Sequence, residues 1–413
     1  MGQHRPGAGS QEAAPNRSVN PTLADVVRKH RQAYEQTHIL SPTERVALDA
    51  IERCRTAELG GHMDRCLDCG GERPSYNSCH NRHCPTCPAV PQAKWIAGRL
   101  QRVLPTHYFH VVFTLPAELR GVTKANRELV YDLLFRCASE TLLEFGRDPK
   151  RIGGELGITA VLHTWSRTLE FHPHLHCIVT GGALSLDGES WIAARPKYLF
   201  PRKALGIVFR GKLLDALKRA VRSGTLRISD SRRFASTVAA LYRKDWNVYC
   251  KRPFGGPEQV IKYLGQYTHR VAISNQRLVA MDERGVTFRT KSGKQVTVDG
   301  IAFLSRWCQH VLPRGYVKIR HFGLMSSSHA TTRLELARAL LNAQTSSNTP
   351  VIACVPVLVE STLNPSAKWR DIILTLNGID LGACPFCGGR NLVRKPLSRR
   401  AAVARAPPEA VAA

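Results

Sequence analysis

The chain has 413 residues with 59 Lys or Arg against 32 Asp or Glu, a formal charge of +27, so a polyanionic partner is expected. With 43% hydrophobic and 22% charged residues it has the apolar content of two or three cored domains, which excludes a disordered chain. Its basic residues run along the whole length, which points to nucleic acid over a membrane surface, and no apolar run approaches the ~20 residues that cross a bilayer.

Residues 1–20 are rich in Gly, Pro, Arg and Asn without an apolar segment. They are expected to be disordered and to carry no secretory signal, which places the protein in the cytoplasm, with the nucleoid. From Thr22 onward Leu23, Val26, Val27 and His30 have helical spacing. A second helix follows, opened by Ser41 as cap, Pro42 in the first turn and Glu44, and carrying Val46, Leu48 and Ile51. A block dense in Cys, His, Gly and Asn runs from Cys54 to Cys87, and Lys94 to Leu104 reads as a basic amphipathic helix stopped by Pro105.

Strands are expected at His107–Leu115, Ile158–Thr168 and Leu175–Val179, with a helix at Glu128–Phe145 between the first two. The stretch Lys203–Asn247 is mostly helical and very basic, Glu258–His269 is a further helix, and Arg277–Ile301 is a meander with turns at Asp282–Gly285 and Ser292-Gly293. A short helix near Trp307 and a strand at Tyr316–Phe322 follow. The tail from Pro396 again has little to bury. The fold class is α+β, divided into a disordered segment (1–20), a zinc-binding DNA-recognition domain (21–104), a catalytic domain (105–325), a C-terminal region (326–395) and a disordered basic tail (396–413).

Thirteen cysteines in a reducing compartment are better metal ligands than disulfide partners. Cys66-x-x-Cys69 and Cys84-x-x-Cys87 each present two thiolates on a tight turn, and together they are expected to make a four-thiolate zinc site. Cys54, His62, Cys79 and His83 remain for a second zinc, with His80 a competitor for the imidazole positions. A closed thiolate shell leaves no position for water or substrate, so this zinc is structural and does no chemistry. Arg82 lies beside the knuckle and is a candidate DNA contact, although exposed polar residues on such knuckles are often only solvated. Cys384-x-x-Cys387 stands alone near the end, half a zinc ribbon that Cys354 and a histidine would complete, unless its thiols stay free.

In Phe171-His172-Pro173-His174-Leu175-His176 alternate residues face one side of a strand, so His174 and His176 point together and Leu175 enters the core. Such histidines are usually hydrogen-bonded surface residues, but two on one face can also chelate a divalent ion and leave positions for water and a phosphate oxygen. His163 on the preceding strand is the expected third ligand, with Glu170, His172 and Gln266 as rivals. Tyr263 and Tyr267 are four apart on an expected helix, so their hydroxyls share a face. Such a pair is usually packing. As nucleophiles, though, two tyrosines attacking phosphodiesters conserve the bond energy of the cut strand without a nucleotide cofactor, with Lys262, Arg270 and Arg277 to stabilise the developing charge.

A strand bearing His-x-His followed about ninety residues later by a Tyr-x-x-x-Tyr helix resembles the HUH endonuclease superfamily. The nearer resemblance is to transposases of the insertion sequence family numbered ninety-one. It rests on three blocks in the family's order: Asn77–Cys87, His172–His176 and Tyr263–Asn275. The resemblance implies an HUH-type nuclease domain, a central antiparallel sheet flanked by helices, behind an N-terminal zinc-binding module. It implies rolling-circle transposition: His174 and His176 hold Mg²⁺ or Mn²⁺, one tyrosine nicks single-stranded DNA at the ends of a mobile element to give a 5′-phosphotyrosine, and the other accepts the second strand. The competing readings are a zinc-dependent DNA-binding protein without catalysis and a replication initiator or relaxase of the same chemistry.

Overall fold

The computed structural model describes residues 20–87, 98, 102–251, 272–347, 374 and 380–399. In chain order its elements are α1 (Leu23–Thr37), α2 (Pro42–Arg53), β1 (Gly61–Cys66), β2 (Glu72–Tyr76), β3 (Tyr108–Thr114), α3 (Arg120–Ala125), α4 (Arg127–Arg147), β4 (Gly154–Trp165), β5 (Phe171–Ser185) and β6 (Trp191–Ala193). They continue with α5 (Arg202–Arg222), α6 (Ser231–Arg243), β7 (Val248–Lys251), β8 (Leu278–Asp282), β9 (Gly285–Arg289), β10 (Gln295–Val298), α7 (Gly300–Cys308), β11 (Ile319–Gly323), α8 (Arg333–Ser347) and β12 (Leu392–Leu397). The protein is therefore α+β, as its sequence predicts. The expected helix Glu258–His269, and all but single positions of Lys94–Leu104 before its end, lie outside the described residues.

Both N-terminal helices open on reciprocal caps: Thr22 with Asp25, and Ser41 with Glu44 one residue before Pro42. Their apolar faces do not form a core of their own. Leu23, Val26, Val27, Leu48 and Ile51 pack with Phe288, Phe303 and Trp307, so one core spans both sides of the boundary expected at residue 104. The meander β8–β10 that supplies Phe288 forms a three-stranded antiparallel sheet.

The central sheet has the order β11-β4-β5-β3-β7, with β6 added to β5, and every pairing is antiparallel. Alternation along three strands sorts its two faces. Phe109, Val111, Phe113, Ile158, Ala160, Leu162, Leu175, Cys177 and Val179 join the core beneath α4 and α5, against Tyr131, Leu134, Phe209 and Leu213. On the opposite face Tyr108, Val161, Ile178 and Leu184 pack under Leu334, Ala337 and Leu341 of α8. The histidines lie on that second face, beside the area α8 covers.

The strand expected to stop at Val179 runs on to Ser185. Gly181 and Gly182 mark no end: a Cβ on Gly181 would lie 2.5 Å from the His107 carbonyl oxygen, and one on Gly182 2.6 Å from that of Ile192. These glycines let neighbouring chain approach the strand closely on either side.

Candidate metal centres

Cys54, at the C-terminus of α2, and Cys79, Cys84 and Cys87, from the loop after β2, bring four thiols within 4.8 Å of one another. The Sγ of Cys87 lies 3.5 Å from those of both Cys54 and Cys79, and that of Cys84 lies 3.6 Å from Cys54. Without a cation these sulfurs must share protons: hydrogen bonds from Cys54 and its neighbours pull the Cys87 thiol far down, and the same contacts push Cys84 and Cys79 far up. A divalent cation among four thiolates removes that conflict, which is the donor set of a structural zinc.

A second group joins Cys66 and Cys69 to Cys384 and Cys387. Cys66 and Cys387 approach to 3.7 Å, and Cys69 and Cys384 to 3.8 Å across 315 residues of sequence. The two knuckles repeat one backbone design. Gly70 N–H donates to the Cys66 carbonyl and Cys66 N–H to Gly71, while Gly388 N–H donates to Cys384 and Cys384 N–H to Gly389. Gly70 and Gly388 have φ of 69° and 75°, the left-handed conformation that closes each turn. Behind the knuckles β12 pairs antiparallel with β1, Leu392 opposite Cys66, and Arg394 reaches Asp64 at 2.7 Å.

These groupings correct the expected ones. Cys66 and Cys69 do not converge with Cys84 and Cys87, because each knuckle already meets another pair of thiols. His62 and His83 do not join a thiol cluster. His62 Nε2 lies 3.4 Å from Asp64 on its own strand. The buried His83 accepts the Leu312 N–H at Nε2 (3.1 Å), which puts its proton on Nδ1 toward the Asn81 side chain (3.2 Å). Burial pushes its pKa down to about 3, so it is a neutral tie between the cysteine loop and the segment before β11. Cys384 and Cys387 are paired with thiols, and the half-ribbon needs neither Cys354 nor a histidine.

The third group is His163, His174 and His176, whose ring nitrogens converge within 4.8 Å. His163 on β4 stands directly opposite His174 on β5, with His176 two residues further along the same face. His174 donates Nδ1–H to the His172 carbonyl at 2.6 Å, and His176 Nδ1 lies 2.8 Å from His110 Nε2 on β3. Both bonds engage Nδ1 and so orient the two rings. His163 is buried and stacks on Trp165, with ring centroids 4.6 Å apart. Burial pushes His174 down to about 4, His110 to about 4 and His176 well below the ordinary range, so all three are neutral, the form that binds a metal.

Two family models match this chain: the one described as "Transposase zinc-binding domain" over residues 26–115, and the one described as "Putative transposase" over residues 157–332. The chain is 40% identical to "Putative transposase y4qJ" of Sinorhizobium fredii over 381 residues, covering 89% of this chain and 93% of that protein. It is 28% identical to "Transposase for insertion sequence element IS801" of Pseudomonas savastanoi pv. phaseolicola over 358 residues, covering 84% of this chain and 82% of that one. The chain belongs to the IS91 family of transposases. No solved structure matches it.

The transposase is thus a DNA-binding, DNA-cleaving enzyme with an N-terminal zinc-binding domain. The zinc-binding match holds Cys54–Cys87 and ends before Cys384, while the second match holds His163, His174 and His176. Tyr263, Tyr267, Lys262, Arg270 and Gln266 lie outside the transposase's described residues. The other two basic candidates bind backbone. Arg277 donates to the carbonyls of Arg289 (2.7 Å) and Arg167 (3.1 Å), and Arg82 donates to that of Tyr316 (2.7 Å). Among the rival ligands, the rings of His172 and His174 lie 5.3 Å apart, but His172 does not belong to the converging group. His110 was missed by sequence reasoning, although its alternation with Tyr108 and Val112 on a strand places it on the same face. Among the described residues no helix of the transposase is long and apolar enough to cross a membrane.

Proposed function

We propose that this transposase nicks and rejoins single-stranded DNA at the ends of a mobile element through a covalent 5′-phosphotyrosine, by a rolling-circle route. The observation that carries the reading is the histidine group: three imidazoles converge on one face of the sheet, with no carboxylate or thiol in the set among the described residues. Three nitrogen ligands suit a divalent ion that keeps positions for solvent and a phosphate oxygen. Bound there, Mg²⁺ or Mn²⁺ supplies Lewis-acid polarisation of the scissile phosphate.

The chain's own groups do the rest. One of Tyr263 and Tyr267 attacks phosphorus with its Oη; the O–P bond forms as the bond to the 3′ oxygen breaks, the phenolic proton passes to solvent, and the departing oxygen takes one up as the free 3′-hydroxyl. The phosphodiester energy is kept in the tyrosyl ester, so a later 3′-hydroxyl attack can rejoin strands without a nucleotide cofactor. The other tyrosine accepts the second strand. Lys262 and Arg270 flank the tyrosines in sequence and neutralise charge at phosphorus, while Arg82 and Arg277, held on carbonyls, contact DNA through their remaining N–H groups. Zinc at both thiol groups holds the recognition module, and its four-sulfur shells take no part in the reaction.

The test is a denaturing gel of protein incubated with labelled single-stranded DNA from an element end, with Mg²⁺ or Mn²⁺. A metal-dependent protein-linked strand, absent from Tyr263→Phe/Tyr267→Phe, is the expected result. DNA binding with no covalent product across several ends and metals would leave a DNA-binding protein without catalysis.

A further inference from the structure

Where β5 begins, just ahead of its histidines in the chain, lies a cleft of about 270 Å³ lined by Arg120 and Lys124 of α3, Glu170 and Phe171 at the start of β5, and Arg306 and Gln309 at the end of α7. Its charge is unbalanced. Three cations meet one carboxylate, and among the described residues Glu170, Arg120, Lys124 and Arg306 form no ion pair with one another or with any other group. The Nε of Arg120 is buried with no hydrogen-bond partner. A buried charged donor without an acceptor is costly, so the position is comfortable only when something supplies an acceptor. Lys124 lies 5.6 Å above the Phe171 ring, with Arg127 on the same ring at 5.9 Å, which crowds a fourth cation toward the cleft.

The chain ties the cleft to the histidines: Glu170 and Phe171 of its lining run directly into His172, whose ring lies 5.3 Å from that of His174. At about 270 Å³ it is at the small end of ligand sites, the size for one nucleotide unit. We propose that Arg120 and Lys124 hold a backbone phosphate of the single DNA strand, one or a few nucleotides from the bond cut at the histidine face. The ligand is a phosphodiester of single-stranded DNA, and the cleft sets where the strand lies. Arg306 helps only with charge, because its Nη1 already donates to the Thr168 carbonyl at 3.1 Å. This inference rests on the proposed cleavage at the histidine face.

The experiment is fluorescence anisotropy of a fluorescein-labelled single-stranded oligonucleotide across a salt series, with full-length protein carrying Tyr263→Phe/Tyr267→Phe so that binding is read without cleavage. Adding Arg120→Gln/Lys124→Gln should lower affinity at low salt about tenfold or more. It should also reduce the slope of log affinity against log salt by about 0.7, one single-strand phosphate's worth, with thermal midpoint and zinc content unchanged. Arg120→Lys, which keeps the charge, should keep the slope. An unchanged slope and affinity in Arg120→Gln/Lys124→Gln overturns the inference. So does a cleft that takes only free anions, seen as inorganic phosphate raising the thermal midpoint of the parent but not of the variant while the oligonucleotide slope stays the same. Repeating the salt series in His174→Ala/His176→Ala separates the two readings: a slope change kept there leaves the cleft standing even if cleavage at the histidine face fails.

Discussion

The thiol groups and the histidine group are built on opposite plans. Each thiol group has four sulfurs, a full tetrahedral set, and its members come from segments that no single strand register brings together. The histidine group has three imidazoles on two paired strands, where the register aligns them, and three donors do not fill a divalent ion's shell. The contrast shows where rigidity originates. The cysteine loops depend on an ion to gather them, whereas the histidines are preorganised by a sheet that folds without one. Metal removal should therefore unfold one region and only silence the other.

The largest effect should come from Cys84→Ser. Structural zinc binding supplies on the order of 10–16 kcal/mol, so losing this ligand should release one zinc per chain and unfold the module around α2. Zinc content by elemental analysis and limited proteolysis between β2 and β3 report it. A full complement of zinc would show that the cluster does not depend on this thiol. Cys387→Ser should also lose one zinc but spare the group of Cys54, Cys79, Cys84 and Cys87, loosening only β12 from β1, since the two groups share no ligand. If both variants lost all their zinc, the two groups would act as one.

His174→Ala/His176→Ala should behave in the opposite way. Cleavage should fall by roughly 10³-fold or more as Lewis-acid assistance is lost, with zinc content and thermal midpoint close to those of the parent. A smaller effect belongs to His110, which bonds His176 Nδ1 and so fixes the ring that presents Nε2. His110→Ala should weaken Mn²⁺ binding about 10–100-fold, the usual cost of losing such a support, and raise the metal concentration needed for cleavage without lowering the rate at saturation. An equal loss at saturating metal would place His110 in the reaction itself.

How much of this was legible in the sequence follows from the same contrast. His163, His174 and His176 were readable because strand periodicity decides which side chains share a face, and the opposing strand lay in a recognisable apolar run. The partners of each Cys-x-x-Cys were not, because a knuckle's geometry is local while its partner is chosen by the tertiary path. Proximity in sequence favoured Cys84 and Cys87 for Cys66 and Cys69. The chain held a better signal: Cys66 to Gly71 and Cys384 to Gly389 share the pattern Cys-x-x-Cys-Gly-Gly, whereas Cys87 is followed by Pro88 and Ala89. His62 and His83 looked like ligands for want of any view of their neighbours. His83 instead satisfies a buried N–H, a requirement no spacing reveals. The run of the strand past Val179 to Ser185 was not legible, because the close approaches at Gly181 and Gly182 involve other segments, around His107 and Ile192.

The smallest expected effect concerns stability and lies outside both kinds of centre. His310 is fully buried, its Nδ1 3.1 Å from the Thr164 hydroxyl and its Nε2 3.0 Å from the Leu169 carbonyl, an arrangement that carries the proton on Nε2 and accepts at Nδ1. Burial pushes its pKa down to about 4 from the ordinary 6.5. Between those values the unfolded chain holds a proton that the native chain does not. The stability from this residue is therefore fully present above pH 6.5 and falls as the pH drops toward 4. From pH 7 to pH 5 the loss should be about 2 kcal/mol, read as a lower denaturant midpoint with an unchanged slope. His310→Gln, which keeps a donor and an acceptor but does not titrate, should lower stability at pH 7 and shrink the difference between the two pH values by that amount. If the variant's acid sensitivity equalled the parent's, the titrating groups would lie elsewhere, with the metal-free imidazoles of the histidine face the first to test.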